Sequence, residues 1–330
     1  MTLIFADGFE DGSAGWVLTN ISVGAGRFGN GLTVTSGSGI ATASMSSTAG
    51  PIIAGFAFKP TGIGGGFFTF AGGVADSHVS LIRGSSGEII VHNAGTVRGS
   101  SAIGVLPSGA WSYVEVKAVI HATTGSVIVR VNGVQILSLT NIDTADSSTM
   151  TSWLKLGATP STNGTIGNAF DDFYLVDTTG TVNNDFLGEI AVEHLRPASD
   201  DTAQWLGTDG NSVNNYDLVD EAGAFNGTDY VASSTIGHRD LYVPTPSSRP
   251  ITSPVVAVMV STVAQKTDVG TRTVKMCVKE GAGGTVRQSA ELGLPSSFGE
   301  INAIFERKGD GSQFTVADVN NLRFGIEVVS

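Results

Sequence analysis

Residues Phe170–Pro197 read F-D-D-F-Y-L-V-D-T-T-G-T-V-N-N-D-F-L-G-E-I-A-V-E-H-L-R-P. The first part, Phe170 to Val176, alternates as a closing β-strand would. The middle, from Thr178, is polar and short, with one glycine at position 180. Alternation then resumes from Phe186 to Leu195, with a register slip at Gly188 of the kind a β-bulge makes. The stretch therefore predicts two β domains in tandem: residues 1–177, a linker at 178–185, and residues 186–330. The short linker permits limited swivelling rather than free tethering.

Working outward, 330 residues suit two domains, each able to bury a core. Charged residues are 15% of the chain, well below the usual quarter, and the 44 glycines mark many turns. That balance favours strands and tight turns over solvent-exposed helices. A net charge of −12 offers no basic patch for nucleic acid or for an anionic membrane surface. The single cysteine, Cys277, excludes an intrachain disulfide and fits a reducing compartment. The first ten residues lack the features of a signal peptide, and no apolar run is long enough to span a bilayer.

In the first half, Val114, Val116, Ala118 and Ile120 alternate with Tyr113, Glu115, Lys117 and Val119. Val127, Val129 and Val131 follow, then Asn132-Gly133, a strong hairpin turn, and a return strand from Gln135 to Leu139. Further strands are expected near 52–59, 67–70, 79–83 and 88–93. Trp111-x-Tyr-Val-Glu-Val-Lys and Gly125-x-Val-x-Val-x-Val-Asn132-Gly133 resemble the central hairpins of concanavalin A-like, laminin-G-like jelly rolls. Phe9-Glu10-Asp11-Gly12 with Trp16, and Phe170–Leu175, fit the two ends of that fold. The resemblance implies paired first and last strands. That pairing brings Glu10 and Asp172 together, and their hard oxygens would suit a structural Ca²⁺.

In the second half, strands are expected near 254–266, 271–280 and 324–329. Thr315-Val316-Ala317-Asp318 has capping-box spacing and predicts a short helix to Leu322. Ala198–Asn215 reads as an exposed polar loop. The half resembles a module of tailed-bacteriophage virion proteins. The matching residues are Phe186-Leu187-Gly188-Glu189-Ile190, Arg196-Pro197, Asn215-Tyr216, Val219-Asp220-Glu221, Asp229-Tyr230-Val231 and Asp240-Leu241-Tyr242. Gly270-Thr271-Arg272 and Thr315–Asn320 with Gly325 continue it. The expected fold class is all-β: an N-terminal jelly roll, then a C-terminal β-sandwich with one short helix.

No catalytic pattern emerges. Asp171 and Asp172 are adjacent, so strand alternation sends them to opposite faces rather than into one cleft. The five histidines lack metal-ligand spacing, and the glycines at 62–66 precede Phe67 rather than a helix. Lys275 and Lys279 flank Cys277 and would lower its pKa if they approached it. Trp16, Trp111, Trp153 and Trp205 are candidates for stacking on sugar rings. Trp205, inside the polar loop, is the expected exposed contact.

The expectation is a non-enzymatic virion component of fibre, baseplate or decoration type, made in the host cytoplasm. Its C-terminal domain would bind other virion proteins, and its N-terminal domain would face outward toward a host surface glycan. A purely architectural cement protein and a bacterial glycan-binding adhesin are the alternatives. Weakly charged strand edges point to a homo-oligomer, and the resemblance to phage fibres points to a trimer.

Overall fold

The computed structural model describes residues 3–12, 15–159, 162–221 and 227–330. It is nearly all β, in antiparallel sheets. The chain divides into two compact units, Met1–Val192 and Glu193–Ser330.

The first unit is two facing sheets. One runs, edge to edge, Val134–Ile142, Gly125–Val131, Ser112–Val119, Ile52–Lys59, Ala169–Asp177, Asn30–Val34 and Ile21–Ala25. Its eighth strand, Leu3–Asp7, pairs with Ala169–Asp177, so the first and last strands of the unit are neighbours as expected. The other sheet has seven strands: Thr96–Ser100, Ile89–Asn93, Val79–Arg83, Gly66–Ala71, Thr151–Gly157, Ile40–Thr48 and Val17–Thr19. The inward residues form one apolar core, with Phe56, Phe58, Phe67, Phe68, Phe70, Phe170 and Phe173 all fully buried. Phe58 stacks on Phe67 and Phe170 at centroid distances of 4.6 and 5.1 Å. Val114, Val116, Ala118, Val127 and Val129 point into this core, as their alternation requires. The Asn132-Gly133 turn has φ of 50° and 78°, the positive values that a two-residue hairpin demands. The edge strand Val134–Ile142 carries no charge. Two register shifts against its partner break its regularity, as bulged edges do.

The second unit is built on a six-stranded sheet: Pro197–Ala203, Arg239–Pro244, Leu322–Val328, Thr273–Glu280 and Val286–Gln288, with Leu292–Gly293 also on Thr273–Glu280. Its core joins Met276 and Val278 to Val260, Ala303 and Phe305 of the separate Val258–Ala264/Gly299–Phe305 ladder. The helix Val316–Asn320 is capped as the sequence indicates. Thr315 Oγ1 accepts from the Asp318 N–H at 3.2 Å, and the Asp318 carboxylate accepts from the Thr315 N–H at 2.8 Å.

The largest departure from expectation is the opening strand placed at Phe186–Leu195. No strand forms there, and the division between the units falls after Val192. The reason lies on the outer face of the eight-stranded sheet. Gly55 sits between Glu115 and Tyr174 on the neighbouring strands. A β-carbon on Gly55 would lie 2.1 Å from Tyr174 Cε1, so only glycine lets that ring lie across the strand. Tyr174 then reaches over and donates to Glu115 Oε1 at 2.5 Å. Together they capture the following chain: the Leu187 N–H donates to the Tyr174 hydroxyl (3.2 Å) and the Gly188 N–H to Glu115 Oε1 (2.8 Å). Asp185 pairs with Lys117 at 3.2 Å, and the Arg130 guanidinium lies 4.0 Å above the Phe186 ring. Backbone donors held by side chains are not available to a ladder, so the segment is a strap on the first unit. It also explains why Tyr113 and Glu115 are as buried as the core-facing valines.

Gly55→Ala is expected to displace Tyr174 and to lower stability by about 1–3 kcal/mol. Denaturant melts should show it, with backbone amides at 187 and 188 exchanging hydrogen faster than in the wild type.

Candidate functional site

The sequence brought forward two carboxylates and one tryptophan. Both carboxylates grip one turn, residues 26–30. Glu10 accepts from the Asn30 N–H, with both oxygens at 3.2 Å. Asp172 takes the Arg27 guanidinium at 2.8 Å on one oxygen and the Val192 N–H at 2.8 Å on the other. The positive charge beside Asp172 is thus Arg27, in the place assigned to calcium. Arg27 also donates to Glu189 and to the Ile190 carbonyl, each at 2.6 Å, tying the strap to the same turn. Among the described residues, no group of three or more His, Cys, Asp and Glu is arranged to hold a metal ion.

Asp171 joins this turn too. A register shift between Asp171 and Tyr174, with φ of 51° at Asp172, cancels the alternation that would have separated the two aspartates. Asp171 accepts from the N–H groups of Arg27, Phe28 and Asp172 at 2.6, 3.0 and 2.7 Å. Burial, and then the Asp172 carboxylate, push Asp171 up to about 6.

Trp205 is not the exposed contact that its polar surroundings suggested. It is only 9% exposed, and its indole donates to the His238 carbonyl at 3.2 Å. The cause is Asp240, a fully buried carboxylate. It accepts from the N–H groups of Gln204 (2.6 Å) and Trp205 (2.8 Å) on one oxygen. On the other it accepts from Asn215 Nδ2 (2.6 Å) and the Tyr242 hydroxyl (3.1 Å). Asp200 binds the Asn215 and Tyr216 N–H groups at 3.0 and 2.8 Å. The 198–215 stretch is therefore a polar-lined part of the fold that begins with the Pro197–Ala203 strand. Asn215-Tyr216 and Asp240-Leu241-Tyr242, two motifs of the phage-module resemblance, meet at this hub.

Trp16 is a core residue, edge-on to Phe173 at 5.3 Å. That leaves Trp111 and Trp153, both half-buried. Trp111 has Lys59 Nζ 6.0 Å from its ring. Trp153 lies on the seven-stranded sheet. Its neighbours in sequence and register, Leu154 and Leu156, point into the core, so Trp153 and Lys155 face outward. Trp153 stands between two small residues, Ala71 on one side and the exposed Ser44 on the other. Lys155, 1% exposed, donates to the Val74 and Asp76 carbonyls at 2.7 and 2.8 Å. Beyond it, Ser80 bonds Thr69 and Ser77 at 2.9 and 2.7 Å. The result is a polar sheet face with one flat aromatic flanked by small side chains.

The other reactive residue types are engaged structurally. His78 Nδ1 accepts from the Asp146 N–H, so Nε2 carries the proton and donates to the Met150 carbonyl, both at 3.0 Å. Burial, and secondarily Glu327, push the Cys277 thiol up to about 12, the reverse of the activation its flanking lysines suggested.

No family model matches the chain, and no curated protein matches it. Solved structures do, over about half of the chain. Domain 4 of AbnA, a GH43 extracellular arabinanase from Geobacillus stearothermophilus in complex with arabinotriose, is 16% identical (TM-score 0.38), covering 53% of this chain and 92% of that one. The endo-β-1,4-glucuronan lyase of the fungus Trichoderma reesei is 14% identical (TM-score 0.36), covering 53% and 95%. The Emp47p carbohydrate recognition domain is 10% identical (TM-score 0.38), covering 53% and 97%. These are distant likenesses, each over about half of this chain. They correct one expectation. The chain was read as non-enzymatic, yet the similar structures include an arabinanase domain and a glucuronan lyase, so the non-enzymatic reading is not kept.

Arg27→Ala strands a buried Asp172 and frees the strap; a loss of about 3–5 kcal/mol is expected in denaturant melts. The Asp171 carboxyl carbon should titrate near pH 6 by NMR. Because its folded pKa lies above the ordinary value, its contribution to stability is present below about pH 4 and is lost as pH rises toward 6.

Proposed function

We propose that this chain is a glycan-recognising component of a tailed-phage virion. The lectin-like first unit meets a host surface glycan, and the second unit attaches to other virion proteins, in a homo-oligomer for which a trimer is the favoured form. The observation that carries the glycan reading is Trp153. It is an outward, half-buried indole on a sheet face of the first unit, with Ala71 and Ser44 leaving space beside it. An outward aromatic face flanked by small side chains suits a sugar ring, which presents C–H faces to stack on. The virion reading is supported by the resemblance of the second half. Its recurring residues Asn215, Asp240 and Tyr242 are joined through one buried carboxylate and so act as a folding unit.

Trp153→Ala should weaken glycan binding roughly tenfold or more on an oligosaccharide array, with the thermal melt unchanged. Trp205→Ala should instead lower the melting temperature. The same sugars should be assayed for new reducing ends and for unsaturated uronates, which would reveal turnover. Immunogold labelling of intact particles tests the virion placement: particles that carry no label would sink it.

A further inference from the structure

We propose that the sugar taken by the Trp153 face is neutral, and that sugars bearing a carboxylate are rejected because this face offers no free cation among the described residues. The proposal rests on the glycan reading above and names the ligand class of that same site.

The first unit contains only seven basic residues against thirteen acidic ones, a net charge of −6 over residues 1–192. Three of the seven belong to the seven-stranded sheet, and each is engaged by groups of the same unit. Lys155 is held by the Val74 and Asp76 carbonyls. Arg83 donates through Nε and Nη2 to the Leu106 carbonyl (3.0 and 2.9 Å) and through Nη1 to that of Gly62 (2.7 Å). Arg98 bonds Asn93 Oδ1 (2.8 Å) and Asp143 (2.9 Å), and its Nε, though unpartnered, is sealed from solvent. Burial pulls Lys155 below the usual lysine range, and the Asp76 and Asp146 carboxylates work against that shift. Burial also holds His92, on the same face, below its ordinary value, which leaves it neutral at pH 7.

The other four cations belong to the eight-stranded sheet and its turns. Arg27 is bound by Asp172 and Glu189, and Lys117 by Asp185. Arg130 covers Phe186, and Lys59 lies over Trp111. Recognition of a carboxylate calls for a charge-assisted donor, best a forked guanidinium. None is offered beside Trp153, and the unit's negative field opposes an anionic ligand more strongly as salt is lowered. A neutral sugar meets neither obstacle.

The test is an array of neutral oligosaccharides beside matched ones carrying uronic or sialic acid. It is probed with the full chain at pH 7.5, at low and at physiological salt. Wild type is compared with Trp153→Ala and with Ser44→Lys, which sets an ammonium opposite Trp153 on an exposed position. Binding to neutral sugars alone, lost in Trp153→Ala, is expected. Ser44→Lys should gain roughly two- to fivefold for the acidic set, more at low salt. Trp153-dependent binding of acidic sugars by the wild type would overturn this inference and leave the glycan reading standing. A Ser44→Lys variant that still binds neutral sugars but gains nothing for acidic ones would overturn the electrostatic cause. Silence across the whole array would sink the glycan reading and this inference with it.

Discussion

A tyrosine lying flat over a glycine organises the first unit. Tyr174 crosses the 52–59 strand only because Gly55 has no side chain, and it ends on Glu115. Glu115 is fully buried and its Oε2 has no partner among the described residues, so it depends on Tyr174 and the Gly188 N–H for what satisfaction it has. Burial is the main reason both Tyr174 and its neighbour Tyr113 are held well above the usual phenol range, and they remain donors at any physiological pH. Tyr113 uses its proton on the Asp172 carbonyl at 3.0 Å. The strap, the 26–30 turn and the closing strand are thereby joined into one polar layer on the outside of a sheet whose inside is phenylalanine and valine.

That layer gives the unit two different faces. The eight-stranded sheet is covered by the 185–192 strap, and its cations Arg27, Lys117 and Arg130 hold the cover in place. The seven-stranded sheet keeps Trp153 facing outward, with Lys155 and Arg83 turned inward to carbonyls and Arg98 paired with Asp143. Buried ion pairs and buried carboxylates are costly unless fully bonded, which is why so few charges remain to act on a ligand. The second unit repeats the device once, with Asp240 gathering Gln204, Trp205, Asn215 and Tyr242.

Much of the fold was legible from local pattern. The Asn132-Gly133 hairpin, the strands at Ile52–Lys59 and Val79–Arg83, and the capping box at Thr315 follow from interactions among residues close in sequence. Glu10 and Asp172 each contact the 26–30 turn, Glu10 at the Asn30 N–H and Asp172 at the Arg27 guanidinium. Phe186–Leu195 misled because its alternation is genuine but its donors are claimed from afar: Glu115 lies 73 residues from Gly188. Trp205 misled because polarity was taken for exposure. Asp200, Asn215 and Asp240 are polar residues that face inward to one another.

The sequence alone determined the all-β class, the two halves, the alternating valines and the low number of cations. Each depends on composition or on a period of two, and both survive any arrangement of the strands. The tertiary structure decided where the first unit ends, which tryptophan faces outward, and whether any of the seven cations is free for a ligand. Those outcomes depend on bonds such as Arg27 to Glu189, 162 residues apart, and on the empty space above Gly55. No local pattern encodes a contact that exists only after two distant strands have become neighbours.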